Sequence, residues 1–359
     1  MDSRSRSSGD GSDPIPDSTI QRFRQAYESD EERVEPVELP TLDANHERDE
    51  RLEIVALRGN AFREDPGNWP KIIHHRRRTD RVVVLTHGFK DSPAFLHDIA
   101  MRCADRGHNV VLPLLPAHGR RDPVAAMRRV RAEHWRWAVD HAIGTARLLG
   151  DTIAVGGLST GGLLALDAYL RQFTELAGID TVLMDTVLID RVLLFGAALG
   201  LKPIQRLVLS TAAVPRWRDA WAERQPNRGI GGNPIKYSRS FLTGARQVHR
   251  IIQSLGLKGQ PPASALAELA ASPEYRSRIF VAHSEVDPTI RYSAVEPLVD
   301  PEDPGQHHIV PAAREVGHAD LVLAHDQSFE PRWPDEPGPL SANPEFAGMM
   351  DKVLAFLDR

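Results

Sequence analysis

The sequence predicts an α/β protein with a mostly parallel central sheet, helices on both faces of that sheet, and an insertion above it. Three observations carry this. Short β-branched runs, "RVVVLTHG" (81–88), "NVVLPLLP" (109–116) and "TIAVGG" (152–157), alternate along the chain with helical stretches. The first two are apolar throughout instead of at every second residue, as expected of strands buried on both faces. The rhythm breaks once, over residues 200–276, and then resumes. Strands alternating with helices form βαβ units, and those stack into a parallel sheet.

Taken in order, residues 1–18 are rich in Ser, Asp and Gly, offer almost nothing to bury, and predict disorder. "STIQRFRQAY" (18–27) spaces Ile20, Phe23 and Tyr27 on one helical face, with Asp17 or Ser18 as N-cap, and suits docking on the main body. "DEERVEPVELPTLDANHERDE" (30–50) is acidic, contains two prolines, and reads as an extended linker. Residues 1–50 are therefore an N-terminal arm, and the core spans 51–199 and 277–359. "RLEIVALRG" (51–59) and "KIIHHRR" (71–77) predict an antiparallel start. Next come strand 81–88, helix 93–107, strand 109–116, helix 132–150, strand 152–157, helix 161–173 and strand 189–199. After the insertion, which contains a predicted helix over 245–256, "RIFVAHS" (278–284) supplies a strand and "EFAGMMDKVLAFLD" (345–358) a closing helix.

Composition limits the functions available. A chain of 359 residues with 41% hydrophobic and 26% charged residues can bury a sizeable core. The net charge of −5 gives no support for a nucleic-acid partner, and "HHRRR" (74–78) reads as a solvated turn before a strand. Cys103 is the only cysteine, which leaves no internal disulfide and no cysteine-based metal cluster. The histidine pairs at 74–75 and 307–308 lack the i, i+4 spacing and carboxylate partners of a metal site, so no metal is expected. No run of apolar residues is long enough for a membrane span. The opening "MDSRSRSSGDGSDP" has no apolar core for a signal peptide, and the expectation is a cytoplasmic protein.

The chemistry concentrates around "TIAVGGLSTGGLLAL" (152–166), where Ser159 sits in Gly157-Leu158-Ser159-Thr160-Gly161. A strand ends at Gly157 and a helix begins near Gly161. Such a turn forces strained angles on its middle residue, and flanking glycines make room for it. It pushes the Ser159 hydroxyl out at the carboxyl end of the sheet, with the Thr160 amide at a helix N-terminus beside it.

A serine hydroxyl needs a base, and the base an acid to orient it. Downstream, Asp287 follows "RIFVAHS", and His318 lies in "REVGHADLVLAHD" (314–326). Glu285 remains an alternative acid, and His283, His307, His308 and His325 remain alternative bases. A second oxyanion donor is available after strand 81–88, where His87-Gly88-Phe89 places the Phe89 N–H at the same edge. The His87 side chain itself reads as structural.

These segments resemble the α/β-hydrolase superfamily, in particular its monoacylglycerol lipase, lysophospholipase and carboxylesterase branch. "VVVLTHGFKDSP", "VVLPLLPAHGRRDP", "VGGLSTGG", "VAHSEVDPTI" and "REVGHADLVL" carry the likeness, which spans about residues 51 to 358. It implies a sheet of about eight strands, a cap inserted after the sixth, no cofactor, and ester hydrolysis through an acyl-enzyme by Ser159, Asp287 and His318. Two residues depart from the family pattern: Ala117 stands where Gly is commoner, and Thr160 where Met is. The arm 1–50 and the long stretch 324–344 are extra to a minimal member.

The implied substrate is a small-molecule ester or lipid with a small to medium acyl chain. Trp217, Trp221, Tyr237, Phe241, Leu242, Ile251 and Leu255 of the insertion are candidates for lining its pocket, or else for forming the insertion's own core. A thioesterase, an acyltransferase or a small-peptide hydrolase would use the same triad. A ligand-binding homologue without turnover would keep the fold. Superfamily members with an aspartate nucleophile are disfavoured by Ser159.

Overall fold

The β-branched residues Val82, Val83 and Val84 lie in the middle of a nine-stranded sheet and are fully buried. The structure is a computed structural model that describes residues 13–29, 32–40, 52–176, 189–200, 230–238, 241–255, 272–334 and 336–359. In chain order the strands are β1 (Val34–Leu39), β2 (Glu53–Gly59), β3 (Lys71–His74), β4 (Thr79–Thr86), β5 (Asn109–Leu112), β6 (Gly150–Leu158), β7 (Ile189–Phe195), β8 (Ile279–Ser284) and β9 (His307–Val310). Their spatial order is β1-β2-β3-β5-β4-β6-β7-β8-β9. From β5 to β9 every pairing is parallel, whereas β1, β2 and β3 join antiparallel. The chain crosses from β4 to β5 on one side and returns to β6 on the other. The carboxyl ends of these two neighbouring strands therefore flank the crevice where open α/β sheets bind ligands.

Helices cover both faces. They are α1 (Ser18–Gln25), α2 (His97–Asp105), α3 (Pro123–Arg129), α4 (Ala132–Ala146), α5 (Thr160–Leu176), α6 (Leu242–Ser254) and α7 (Phe346–Leu357). Trp135 and Val139 of α4 and Leu163 and Leu166 of α5 fill one face. Ile99 and Cys103 of α2 and Met349 and Val353 of α7 fill the other. Asp167 of α5 is buried and locks α4 in place, accepting from Arg136 Nε (3.0 Å) and Nη2 (2.7 Å) and from Arg171 Nε (2.9 Å). A buried carboxylate held this way is strongly destabilising if a partner is removed. Among the described residues no helix is long and apolar enough to cross a membrane.

The structure corrects three sequence readings. The supposed linker 30–50 contains strand β1, paired with β2 from Val34 opposite Gly59 to Leu39 opposite Ile54. Pro36, read as a linker break, sits in this edge strand, where a missing N–H is tolerated on the outward side. β9, "HHIV", falls where no strand was predicted and completes a sheet of nine. The helix expected over 132–150 stops at Ala146, and Gly150 already belongs to β6. Most of the predicted insertion, residues 201–229 and 256–271, lies outside the described residues.

The arm helix α1 is part of the core. Phe23 is fully buried, with its ring edge-on to Tyr27 at 5.4 Å. The Tyr27 hydroxyl accepts from the Leu114 N–H (3.1 Å), and His141 Nε2 bonds the Arg22 carbonyl (2.6 Å). Truncating a buried phenylalanine leaves a cavity, and Phe23→Ala is expected to cost about 3–5 kcal/mol. Urea unfolding checks this, and a midpoint equal to the parent's would show the arm to be dispensable for the core.

Candidate active site

β6 ends at Leu158 and α5 begins at Thr160, so Ser159 alone makes the turn. It does so with a left-handed φ of 54°, a conformation that costs an L-residue about 1–2 kcal/mol. Three backbone hydrogen bonds hold it there: Ser159 N–H to the Phe195 carbonyl (2.9 Å), and the Ser159 carbonyl accepting from Leu163 N–H (3.0 Å) and Ala198 N–H (2.9 Å). The two flanking glycines are needed for close approach, because a Cβ at Gly157 or Gly161 would run into the Thr86 carbonyl at the end of β4. The elbow can press against β4 only while both positions lack a side chain.

Beyond β8, the Asp287 side chain is pinned by its own loop. Its Oδ1 accepts from Thr289 N–H (2.7 Å) and Ile290 N–H (2.9 Å), and its Oδ2 bonds His318 Nδ1 (2.6 Å). Burial is the largest single influence on this carboxyl and opposes ionisation. The His318 hydrogen bond and charge, with the two amides, outweigh it and hold the group below the ordinary carboxylate range. A carboxylate only accepts, so Nδ1–H is the donor in this contact. His318 Nε2 is buried and has no hydrogen-bond partner among the described residues.

Gly196, just past β7, separates this pair from the serine. Its φ is 50°, and a Cβ there would stand 3.3 Å from the His318 ring and 3.6 Å from Asp287 Oδ2. Phe195 before it and Ala198 two residues after it both hold the Ser159 backbone. One short loop thus carries the serine on one side and the imidazole–carboxylate pair on the other. Ser159 and His318 make no hydrogen bond to each other in this structure.

The alternatives are engaged elsewhere. Glu285 Oε2 accepts from Ala312 N–H (2.8 Å). The His283 ring lies 5.8 Å from that of Tyr292, His307 and His308 belong to β9, and His325 is exposed.

The loop after β4 crosses directly over the serine, since a Cβ at Gly88 would stand 3.3 Å from Ser159 Cβ. His87 uses both ring nitrogens, Nδ1 on the Gly88 carbonyl (2.8 Å) and Nε2 accepting from Leu115 N–H (3.0 Å). Burial lowers it to about 4, against the Gly88 carbonyl and helped by Lys236, so the ring is neutral and structural. Neither Phe89 N–H nor Thr160 N–H donates to an acceptor among the described loop and turn contacts.

Of the pocket candidates, Trp217 and Trp221 lie outside the described residues. Tyr237, Phe241, Ile251 and Leu255 belong to the main buried cluster with Trp135 and Met127, and Leu242 is half-buried. The Tyr237 hydroxyl accepts from Arg120 N–H (2.8 Å), and its ring stacks on His118 at 6.3 Å. Tyr237, Phe241, Ile251 and Leu255 pack into the core of the main body, not into a separate core of the insertion. Two supports had no sequence signal: the buried Ser284 hydroxyl donating to the Val316 carbonyl (2.7 Å), and the Lys236–Asp91 ion pair. Gly196 did leave one, a glycine at a strand end. No cluster of three or more metal-ligating side chains occurs among the described residues.

No family model matches the chain. Over 98 residues it is 36% identical to a thermostable monoacylglycerol lipase of Bacillus sp. (strain H-257), covering 27% of this chain and 38% of that protein. The match thus spans well under half of the curated relative. A metagenome-derived lipolytic enzyme from a study of LipS and LipT superposes with a TM-score of 0.53 at 17% identity, covering 82% of this chain and 98% of that one. A soluble variant of the Saccharomyces cerevisiae monoglyceride lipase gives a TM-score of 0.49 at 13% identity, covering 89% and 95%. With a nine-stranded, mostly parallel sheet and a serine elbow after β6, the chain has the α/β-hydrolase fold. Its likeness within that fold is to the lipases and esterases.

The 2.6 Å contact between His318 and Asp287 predicts a proton resonance far downfield of the amide range. Asp287→Asn is expected to abolish it and Glu285→Gln to leave it, with proton NMR as the check.

Proposed function

We propose that the chain is a serine hydrolase of carboxylic esters. The observation that carries this is the His318–Asp287 pair, its Nε2 left unbonded, at the strand edge where Ser159 is held in a left-handed turn. In this reading Ser159 Oγ attacks the ester carbonyl carbon and His318 Nε2 takes its proton. Asp287 keeps the imidazole in the accepting tautomer and stabilises the cation that forms. The tetrahedral oxyanion accepts from Phe89 N–H and Thr160 N–H, each donor contributing about 3 kcal/mol to barrier lowering. Collapse breaks the ester C–O bond, and the leaving alcohol takes the proton from His318. Water, deprotonated by the same nitrogen, then releases the acid and restores Ser159.

The partial likeness to a monoacylglycerol lipase supports a monoacylglycerol- or lysophospholipid-like substrate with a small to medium acyl chain. The insertion 200–276 would cap the site.

Ser159→Ala is expected to lower kcat/KM on p-nitrophenyl butyrate by about 1,000-fold or more and to abolish labelling by a fluorophosphonate probe. Residual activity within threefold of the parent would refute the assignment. In a p-nitrophenyl ester series from C2 to C16 the rate should peak at short to medium chains, and a flat profile would argue against a shaped acyl pocket.

A further inference from the structure

The segment "GGNPIKYS" (231–238) of the insertion is tied down from several directions. Arg63 donates to the Asn233 carbonyl (3.0 Å) and the Lys236 carbonyl (3.4 Å), and Asn68 Nδ2 to the Pro234 carbonyl (3.0 Å). Gly232 N–H donates to Glu336 Oε1 (2.8 Å), which belongs to the long stretch after His318. So anchored, the segment grips the loop over Ser159 at three points. Tyr237 N–H donates to the Lys90 carbonyl (2.8 Å), Lys90 Nζ to the Ser238 carbonyl (3.4 Å), and the Lys236 ammonium pairs with Asp91 Oδ1.

The third contact bears on the chemistry. Asp91 is almost fully buried, its N–H bonds the Gly88 carbonyl (3.2 Å), and its Oδ2 lies against Gly88 where a Cβ would be. Gly88 and Phe89 share the peptide whose N–H is the oxyanion donor. The Lys236 ammonium also sits 4.8 Å from the Phe95 ring centroid, so its position is fixed independently of Asp91. Lys90, between the two, holds a left-handed φ of 72°, a conformation the surroundings must maintain.

We propose that Lys236 is a positioning residue for the reaction: by neutralising Asp91 from the insertion side, it fixes the Gly88–Phe89 peptide and so aims the Phe89 N–H at the developing oxyanion. The proposal rests on the serine-hydrolase reading. Removing the ammonium leaves a buried carboxylate without its cation. Asp91 then turns toward solvent and takes the Gly88–Phe89 peptide with it.

The test compares full-length parent, Lys236→Met, Lys236→Arg and the double variant Asp91→Asn/Lys236→Met. Hydrogen exchange at residues 88–92 is expected to accelerate about tenfold or more in Lys236→Met, with 157–162 unchanged. On p-nitrophenyl butyrate, kcat should fall about tenfold or more with KM within twofold. Lys236→Arg should recover to within threefold, and the double variant should fall no further than Lys236→Met, because the two residues act as one pair. Unchanged exchange overturns the proposal without reference to activity, as does altered exchange with unchanged kcat in an active parent. If Lys236→Met is globally unfolded, Asp91→Asn, which removes the same ion pair, carries the exchange and kcat readouts. Accelerated exchange at residues 88–92 and a kcat lowered about tenfold are then expected, and parent-like values overturn the proposal. A parent that neither labels with the fluorophosphonate probe nor hydrolyses the ester overturns the hydrolase reading. It removes the catalytic role of Lys236, whatever the exchange shows.

Discussion

The site depends on one close approach, that of the β6–α5 elbow to the end of β4. Thr86 is paired with Gly157 in the sheet, and the Thr86 carbonyl occupies the space that a Cβ at Gly157 or Gly161 would need. Because the approach is this close, Ser159 comes to lie under the loop that leaves β4, where a Cβ at Gly88 would touch the Ser159 Cβ. Ser159 and the Gly88–Phe89 peptide are thus brought together first by a backbone packing distance, on which the side-chain contacts of the loop then act. Shifts of about 1 Å in such an arrangement cost about 100-fold in rate, which is reason enough for two positions to forgo side chains.

Electrostatics then distinguishes residues of the same type. Three histidines surround the site and differ only in what surrounds each ring. His87 has both nitrogens engaged and is held neutral at about 4. His118 is also buried, lowered to about 3 by burial and by His87, and packs among Phe89, Trp135 and Tyr237. His318 alone combines a carboxylate on one nitrogen with an unbonded second nitrogen. Asp287 can stay charged despite its burial because two amides and the imidazole converge on it. A base needs that pairing, and the other two rings have no carboxylate to supply it.

What the sequence revealed follows the range of the interactions. Ser159, Asp287 and His318 were legible because each sits in a short contiguous motif just past a strand. The buried strands were legible because a continuous β-branched run has few other readings. β1 was not, since an acidic edge strand with a proline shows only Val34 fully buried and otherwise resembles a linker. β9 was not, because four residues beginning with two histidines show no periodicity. Lys236 and Asp91 lie 145 residues apart, and no local pattern announces such a contact. Ala117 shows the reverse case: its φ of 70° accounts for the glycine that the family prefers there.

Residues 231–238 and the loop after β4 are joined by direct contacts, which bears on how the proposed site could change. Besides the grip of residues 231–238, the first turn of α6 packs on the oxyanion residue itself: a Cβ at Gly244 would stand 2.5 Å from the Phe89 ring. Phe89 in turn rests against His118 and Trp135 of the main body. Substitutions among residues 231–238 and at Gly244 therefore reach the Phe89 loop through direct contacts. A substitution at one of these contact positions must also preserve the backbone of the loop that carries Phe89.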